Sequence, residues 1–432
     1  VVLREEAGVP HVVGVDVGGG STAAALCRLG EPSRGAEPVP LDERGGAVAS
    51  VVQIAPDGTF FVGDSGTVDP RLAARHFVRR IGDEVPFHLG DEVCSAEELT
   101  SLMILWVVGQ AATRTGETAR HVVVTHPLGW GPHRKNLLLR SLREAGVGNV
   151  TLLAEPLAVA ENHAARERVP VGALLGVHSL GAHAFGASVV RRTPAHTFEL
   201  VTGTEGAGQP AGADFDDALV AHVLGRQAGA VDPDDPQDRA DMARLRHACT
   251  AAKAALSTAT EVTIPAPAGQ VRVTRSEFEE LIRPAVEMSV ASLLRVAGRT
   301  PLDAVVLAGG SAHVPLVADL VEAALDCRVL VEAAPETSAV KGAALAARLL
   351  LEGPAPEAEP VETSVLARSD DASLRFPVGE LRVRDDQLAA PPPRPPVDIP
   401  PLDLPERRSV RRAVRAFGGA RRGAGTSEED GR

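Results

Sequence analysis

The sequence predicts an α/β protein built as two similar units around a shared cleft. Three observations carry that expectation. Short apolar runs alternate with helix-like stretches through residues 10–351, the spacing of parallel strands covered by helices. A pair of apolar runs joined by a glycine-bearing turn occurs twice, at residues 11–29 and again at 173–190. Aromatic residues make up only 3% of the chain, with no Tyr, so Ala, Val and Leu must fill the core, which favours helix-rich α/β layers over an aromatic-packed β-sandwich.

The first of the two pairs organises the rest. His11-Val12-Val13 opens a buried strand, Ala23 to Leu29 is a second apolar run, and Gly18-Gly19-Gly20 turns the chain between them. Three consecutive glycines leave backbone N–H groups open to a ligand, so Gly18, Gly19, Gly20 and Ser21 can cradle phosphate. Asp16 at the strand end can hold a hydrated metal ion. Such a turn alone is a weak signal, because many glycine-rich hairpins bind nothing.

Val51–Ile54, Pro56-Asp57-Gly58 and Phe60–Gly63 read as strand, turn and strand. Asp69-Pro70-Arg71 opens a helix-like segment reaching Arg80. A longer helix runs from Ser95 to Arg114, with Glu98 at the capping-box spacing. His121–Thr125 is a buried strand, Pro132 begins a helix that Gly146 ends, Val150–Leu153 is a strand, and Glu155-Pro156 enters a helix to about Arg166. The second unit repeats the plan: strands at Ala173–Val177 and Ala187–Val190 flank the turn Gly181-Ala182-His183. Helices are expected at Gly212, over Asp238–Ser257, over 275–282, after Pro315 and over Ser338–Leu351, with strands at Val271–Val273 and Asp303–Ala308.

The totals exclude several classes. A formal net charge of −13 argues against nucleic-acid binding by the folded body. Cys27, Cys94, Cys249 and Cys327 lack paired spacing, which suits four buried thiols in a reducing compartment. No apolar run is long enough to span a bilayer, no signal peptide is evident, and a cytoplasmic location is expected. The sequence begins at Val1 rather than Met, as a fragment would. After residue 352 the composition turns Pro-rich, culminating in Ala390–Pro396, and Arg407–Phe417 is basic; an extended, disordered tail is expected there, able to touch an anionic surface or an acidic partner.

The ordered motifs resemble the nucleotide-binding domain of the heat-shock protein 70 (DnaK-type) chaperones, in the actin-like ATPase superfamily, over roughly residues 10–351. Gly14–Gly18 is similar to the family's first phosphate hairpin. Thr125-His126-Pro127, Ala154–Ala160 and Ala213-Asp214-Phe215-Asp216 resemble its next segments. Arg244–Cys249 leading to Lys253 and Ser257 looks like an adenosine-contacting helix, Gly309-Gly310-Ser311 a second adenosine motif, and Val340–Ala344 the closing helix. The resemblance implies a two-lobed actin-like (ribonuclease H-like) fold with ATP or ADP, and Mg, between the lobes. Lobe I would be 10–172 and lobe II 173–337, with 338–351 returning to lobe I and 352–432 a tail. Lys253 and Ser257 lie four apart, so one helix face presents both; Gly309 and Gly310 leave room for a purine or ribose.

The departures fall on the chemistry. The family's first hairpin carries Thr where Gly19 and Gly20 stand. Its second loop, Asp-Leu-Gly-Gly-Gly-Thr-Phe-Asp, corresponds to Ser179-Leu180-Gly181-Ala182-His183-Ala184-Phe185-Gly186, and its catalytic Lys falls on Val78, with Arg79 or Arg80 the nearest substitutes. Of the acidic groups, Asp16 and Glu155 remain as candidate catalytic residues. Hydrolysis needs a metal, a placed water and positive charge on the transferred group. The expectation is therefore an Hsp70-like nucleotide-binding protein that hydrolyses ATP weakly or not at all. The alternative is a pseudo-ATPase scaffold that binds a protein partner. A metal site on His178 and His183 lacks a third ligand.

Overall fold

The computed structural model describes residues 9–353 apart from 32, 33, 44, 45, 56, 65–68, 207, 228–231 and 233. The Pro-rich and basic tail expected after residue 352 lies outside the described residues from 354 onward.

Two mixed sheets share one plan. In the first, strands His11–Val17 and Ser21–Arg28 form the antiparallel hairpin, and Val122–His126 and then Val150–Ala154 add in parallel beyond His11–Val17. In the second, Leu174–Leu180 and Phe185–Arg192 form the hairpin, and Ala304–Ala308 and then Arg328–Val331 add in parallel. The second sheet also gains the antiparallel edge strand Phe198–Glu205. The inner strands of both hairpins are buried along nearly their whole length, as strands covered on both faces must be, and each carries its polar residues at or near its ends or bonded within the core.

Helices cover these sheets. Ala96–Thr115 begins where its capping box closes: Glu98 N–H donates to Ser95 Oγ (3.3 Å) and Ser95 N–H to Glu98 Oε2 (2.8 Å). Leu99, Leu102, Met103 and Val107 on its inner face join the first core. Gly212–Gly225, Pro236–Leu256 and Arg275–Ala297 enclose a second core around Phe215, Phe278 and Val286. Glu155–Ala164 lies between the two sheets: Val159 and Ala160 pack with Leu175 and Val177 of the second, while Ala158 joins Val12, Val123 and Ala343 beneath the first. The last helix, Ser338–Glu352, returns to the first sheet through Val340, Ala343, Ala344 and Ala347.

Several expectations need correction. Residues 70–80 are not one helix. A 3-10 turn at Pro70–Leu72, a strand Ala73–Arg75 paired with Val51–Gln53, and a second 3-10 turn at Phe77–Arg80 replace it. His76, at φ 56°, breaks the run. The helix expected over 275–282 continues to Ala297, because Pro284 sits on its exposed face. Edge strands Phe198–Glu205 and Arg328–Val331, and Glu261–Ala266, had no counterpart in the sequence reading; the strand expected at Val271–Val273 runs from Gly269 to Thr274 and pairs with Glu261–Ala266. Cys27, Cys94 and Cys249 are buried, but Cys327 is partly exposed. Among the described residues no helix is long and apolar enough to cross a membrane.

The crossing of Glu155–Ala164 with Ser338–Glu352 is the tightest contact in the fold. A Cβ added to Gly342 would sit on the Ala158 carbonyl oxygen, and one on Gly14 would meet Ala344 N and Val340 O. Backbone has nowhere to move, so Gly342→Ala is expected to destabilise the protein by about 3 kcal/mol. Gly109→Ala, where a Cβ meets nothing within 4 Å on an exposed helix face, should stabilise by roughly 0.5–1 kcal/mol. Urea midpoints of the two variants against wild type check both signs.

Candidate functional site

The two hairpin turns meet. Gly18 N–H donates to Ser21 O (2.9 Å), closing the first turn. Ser50 ties it down: Ser50 Oγ donates to Gly18 O (2.7 Å) and Ser50 N–H to Gly20 O (3.0 Å). Gly181 N–H donates to Ala184 O (3.0 Å) to close the second turn, and the N-terminus of Gly212–Gly225 holds its carbonyls, with Gly212 N–H on Gly181 O and Ala213 N–H on Ala182 O. A Cβ on Gly19 would stand 3.0 Å from His183 Cδ2, and one on Gly20 3.1 Å from Ala182 Cβ. Glycine at 19 and 20 is thus what lets the second turn come this close.

His183 occupies the contact. Its ring meets His76 edge-on, centroids 4.7 Å apart. Burial, then the neighbouring His76 and Arg79, hold its imidazole below the usual histidine range. Val78 is buried in the first core, so the position aligned with the family's lysine turns away. Arg80 is engaged elsewhere, donating to Val85 O (2.6 Å) and lying over the Phe87 ring. Arg79 is exposed and acts on His183.

Beneath the turns lies a carboxylate pair. Asp16 accepts a hydrogen bond from Thr125 Oγ1. Glu155 starts its helix directly after strand Val150–Ala154, with Ser179 as its hydrogen-bond partner. Each keeps some solvent-accessible surface, yet desolvation is the largest influence on both. Asp16 is pushed up by burial against the Thr125 hydrogen bond. Glu155 is pushed up to about 7 by burial and then by the Asp16 charge, with Glu205 adding to it. Two close carboxylates that resist losing both protons titrate as a pair. Glu205 is itself fixed by Gly129 N–H (3.0 Å).

The remaining expected residues are partly assembled. Lys253 reaches the second turn, donating to Gly212 O (2.6 Å), and its ammonium lies 2.9 Å from Asp216. Ser257 closes helix Pro236–Leu256 as its C-cap and is not brought to the turn by any hydrogen bond. Gly309 is at φ 84°, where an added Cβ would stand 2.5 Å from Leu180 O, and Ser311 is buried opposite Gly212. A Cβ on Gly310 would enter open space. His178 is buried and bonded to Ser289 (3.0 Å), away from a shared site with His183. Among the described residues no three His, Cys, Asp or Glu converge as a metal site. Thr125, Glu205 and His76 escaped the sequence reading as site residues. The short polar side chain facing Asp16 across paired strands was the one available signal.

The raised Glu155 carboxyl has a stability consequence. Its folded state binds a proton more tightly than the unfolded chain, so its contribution is full below about pH 4.5 and lost as pH rises through about 7. Glu155→Gln should therefore gain on the order of 1 kcal/mol over wild type near pH 8, a gain that vanishes at about pH 4. Thermal midpoints of both proteins at the two pH values test this.

The family model described as Hsp70 protein matches residues 79–362, well over half of the chain. Among curated relatives, chaperone protein DnaK of Nitrosopumilus maritimus is 24% identical over 363 residues, covering 78% of this chain and 56% of the relative. DnaK of Thermotoga petrophila is 26% identical over 362 residues, covering 78% and 59%. DnaK of Elusimicrobium minutum is 25% identical over 335 residues, covering 72% and 53%. The chain thus spans a little over half the length of these relatives. Paired mixed sheets flanked by helices, two facing hairpins and this match over most of the described residues place the chain, as a distant member, in the Hsp70 family.

Proposed function

We propose that this chain is an Hsp70-type, chaperone-family domain that binds adenine nucleotide between lobes at 10–172 and 173–337 and hydrolyses ATP weakly or not at all. The single observation that carries the reading is His183 lodged against Gly19 and Gly20 where the two phosphate turns meet. An open glycine turn suits phosphate; a turn filled by an imidazole and the Ala182 methyl suits binding without placed water.

The adenosine side supports binding. Gly309 and Ser311 are set against the second turn, Gly310 borders open space, and Lys253 is held at Gly212 beside them. The chemical side does not support turnover. Ser179 and Gly186 carry no charge, Ala184 no hydroxyl, and Val78 lies in the core. Only Asp16 and Glu155 remain as carboxylates to hold a hydrated magnesium ion, since Ser179 and Gly186 bring none. The magnesium that the family uses does not fit these residues well. A nucleotide held by one lobe more tightly in the closed arrangement would shift the population toward closure, the one output such a site needs.

Calorimetric titration with ADP and ATP tests the reading. Binding is expected for both, abolished by Gly310→Arg, which would fill the open space, and phosphate release from ATP should stay at background. Steady release lost on Asp16→Ala would instead mean a working ATPase. No heat with either nucleotide would mean a scaffold for a protein partner.

A further inference from the structure

We propose that the diphosphate of the nucleotide is gripped by side-chain cations, His183 and Arg79 foremost, so that binding does not need magnesium. This rests on the nucleotide-binding reading and says how the anion is held.

Four backbone donors are available where the turns meet. Among the described residues, the N–H groups of Gly19, Gly20, Ala182 and His183 make no hydrogen bond, while the carbonyls of Gly18, Gly20, Gly181 and Ala182 are all taken. Unpaired N–H groups on two touching turns form the sort of concavity that takes an anion. The His183 ring lies in the same place. Its nitrogens have no hydrogen-bond partner among the described residues, and only the edge-on contact with His76 and the approach of Gly19 and Gly20 orient it, so a ring nitrogen is free to meet a phosphate oxygen.

Arg79 is the second cation. Its guanidinium makes no ion pair among the described residues, whereas neighbouring Arg71, Arg75 and Arg80 are each paired with an aspartate. A guanidinium matches two phosphate oxygens at once. The charged and titratable groups facing His183 are His76, Arg79, Lys253 and one acid, Asp214. That acid is already occupied, accepting from Ala211 N–H (2.8 Å) at the start of its helix, and Lys253 is offset by Asp216. Arg79 is thus the cation there with no partnering acid of its own, and protonation of His183 adds a second positive charge. The positions that would supply acid for a metal, Ser179 and Gly186, supply none, so the diphosphate charge must be met by these side chains.

A phosphate beside His183 favours its charged form, which the ligand-free site disfavours. Binding then takes up a proton and strengthens as pH falls. The test titrates the full chain with ADP and with adenosine, in excess EDTA and in excess magnesium, at about pH 6 and about pH 8. The expected result is ADP binding in EDTA, about tenfold tighter at the lower pH, with adenosine indifferent to both variables. His183→Ala and, separately, Arg79→Gln should each weaken ADP about tenfold at the lower pH and leave adenosine unchanged. ADP binding that requires magnesium overturns the proposal while sparing the nucleotide reading. So does His183→Ala binding ADP as tightly as wild type or more tightly, the behaviour of a plug. Failure of ADP and adenosine to bind under every condition overturns both.

Discussion

The carboxylate pair at the site is placed by one backbone-to-backbone contact. Helix Ser338–Glu352 lies so close to Glu155–Ala164 that Gly342 touches the Ala158 carbonyl, and its other side presses on Gly14 of the first strand. Glu155 is the first residue of one partner, and Asp16 lies two residues beyond Gly14 on the other. The same helix therefore sets how near the two carboxylates come. Alanines at 158, 343, 344 and 347 make the approach possible, because larger side chains would hold the helices apart. Since Val159 and Ala160 also pack on the second sheet, this crossing registers one sheet against the other.

That proximity has an electrostatic cost, and the residues around it distribute the charge. Thr125 donates to Asp16 and favours its ionised form; burial opposes it. Ser179 does the same for Glu155, against burial and against Asp16. The result is a floor that prefers to keep a proton. Above it, across the width of the turns, stand His76, His183, Arg79 and Lys253, with Asp214 and Asp216 partly balancing them. Two fixed cations, Arg79 and Lys253, thus stand with two carboxylates around the His183 ring, above an acidic pair that resists losing both protons.

The paired-sheet plan was legible because its signals are local. Buried strands announce themselves by apolar runs and the turns between them by glycine, and Ser95 with Glu98 marks a helix start whose capping box forms. Asp16 came forward as a candidate for the same local reason, at the end of a strand, whereas Glu155 came forward only through the family resemblance. What failed depended on tertiary context. Pro284 looks like a helix end, yet on an exposed face its ring and missing N–H are tolerated and the helix runs on to Ala297. Residues 70–80 carry a helical composition, but pairing of Ala73–Arg75 with Val51–Gln53 and the left-handed His76 override it. Phe198–Glu205 is an exposed edge strand and so shows no clean alternation of apolar and polar residues.

His183 marks the boundary between what a sequence states and what a fold decides. Its identity alone announces a crowded second turn, and the contact with Gly19 and Gly20 follows from that crowding. Its meaning comes from His76, which no spacing rule connects to it. His76 reaches the ring only because the strand Ala73–Arg75 pairs beside the first sheet and the backbone then turns through a left-handed residue. The same turn buries Val78 and leaves Arg79 outward, so one backbone reversal both removes the position aligned with a catalytic lysine and presents a different cation. The two positions are coupled through that turn: a lysine at 78 would be buried in the core, and opening the second turn would remove the imidazole on which the Arg79 charge acts.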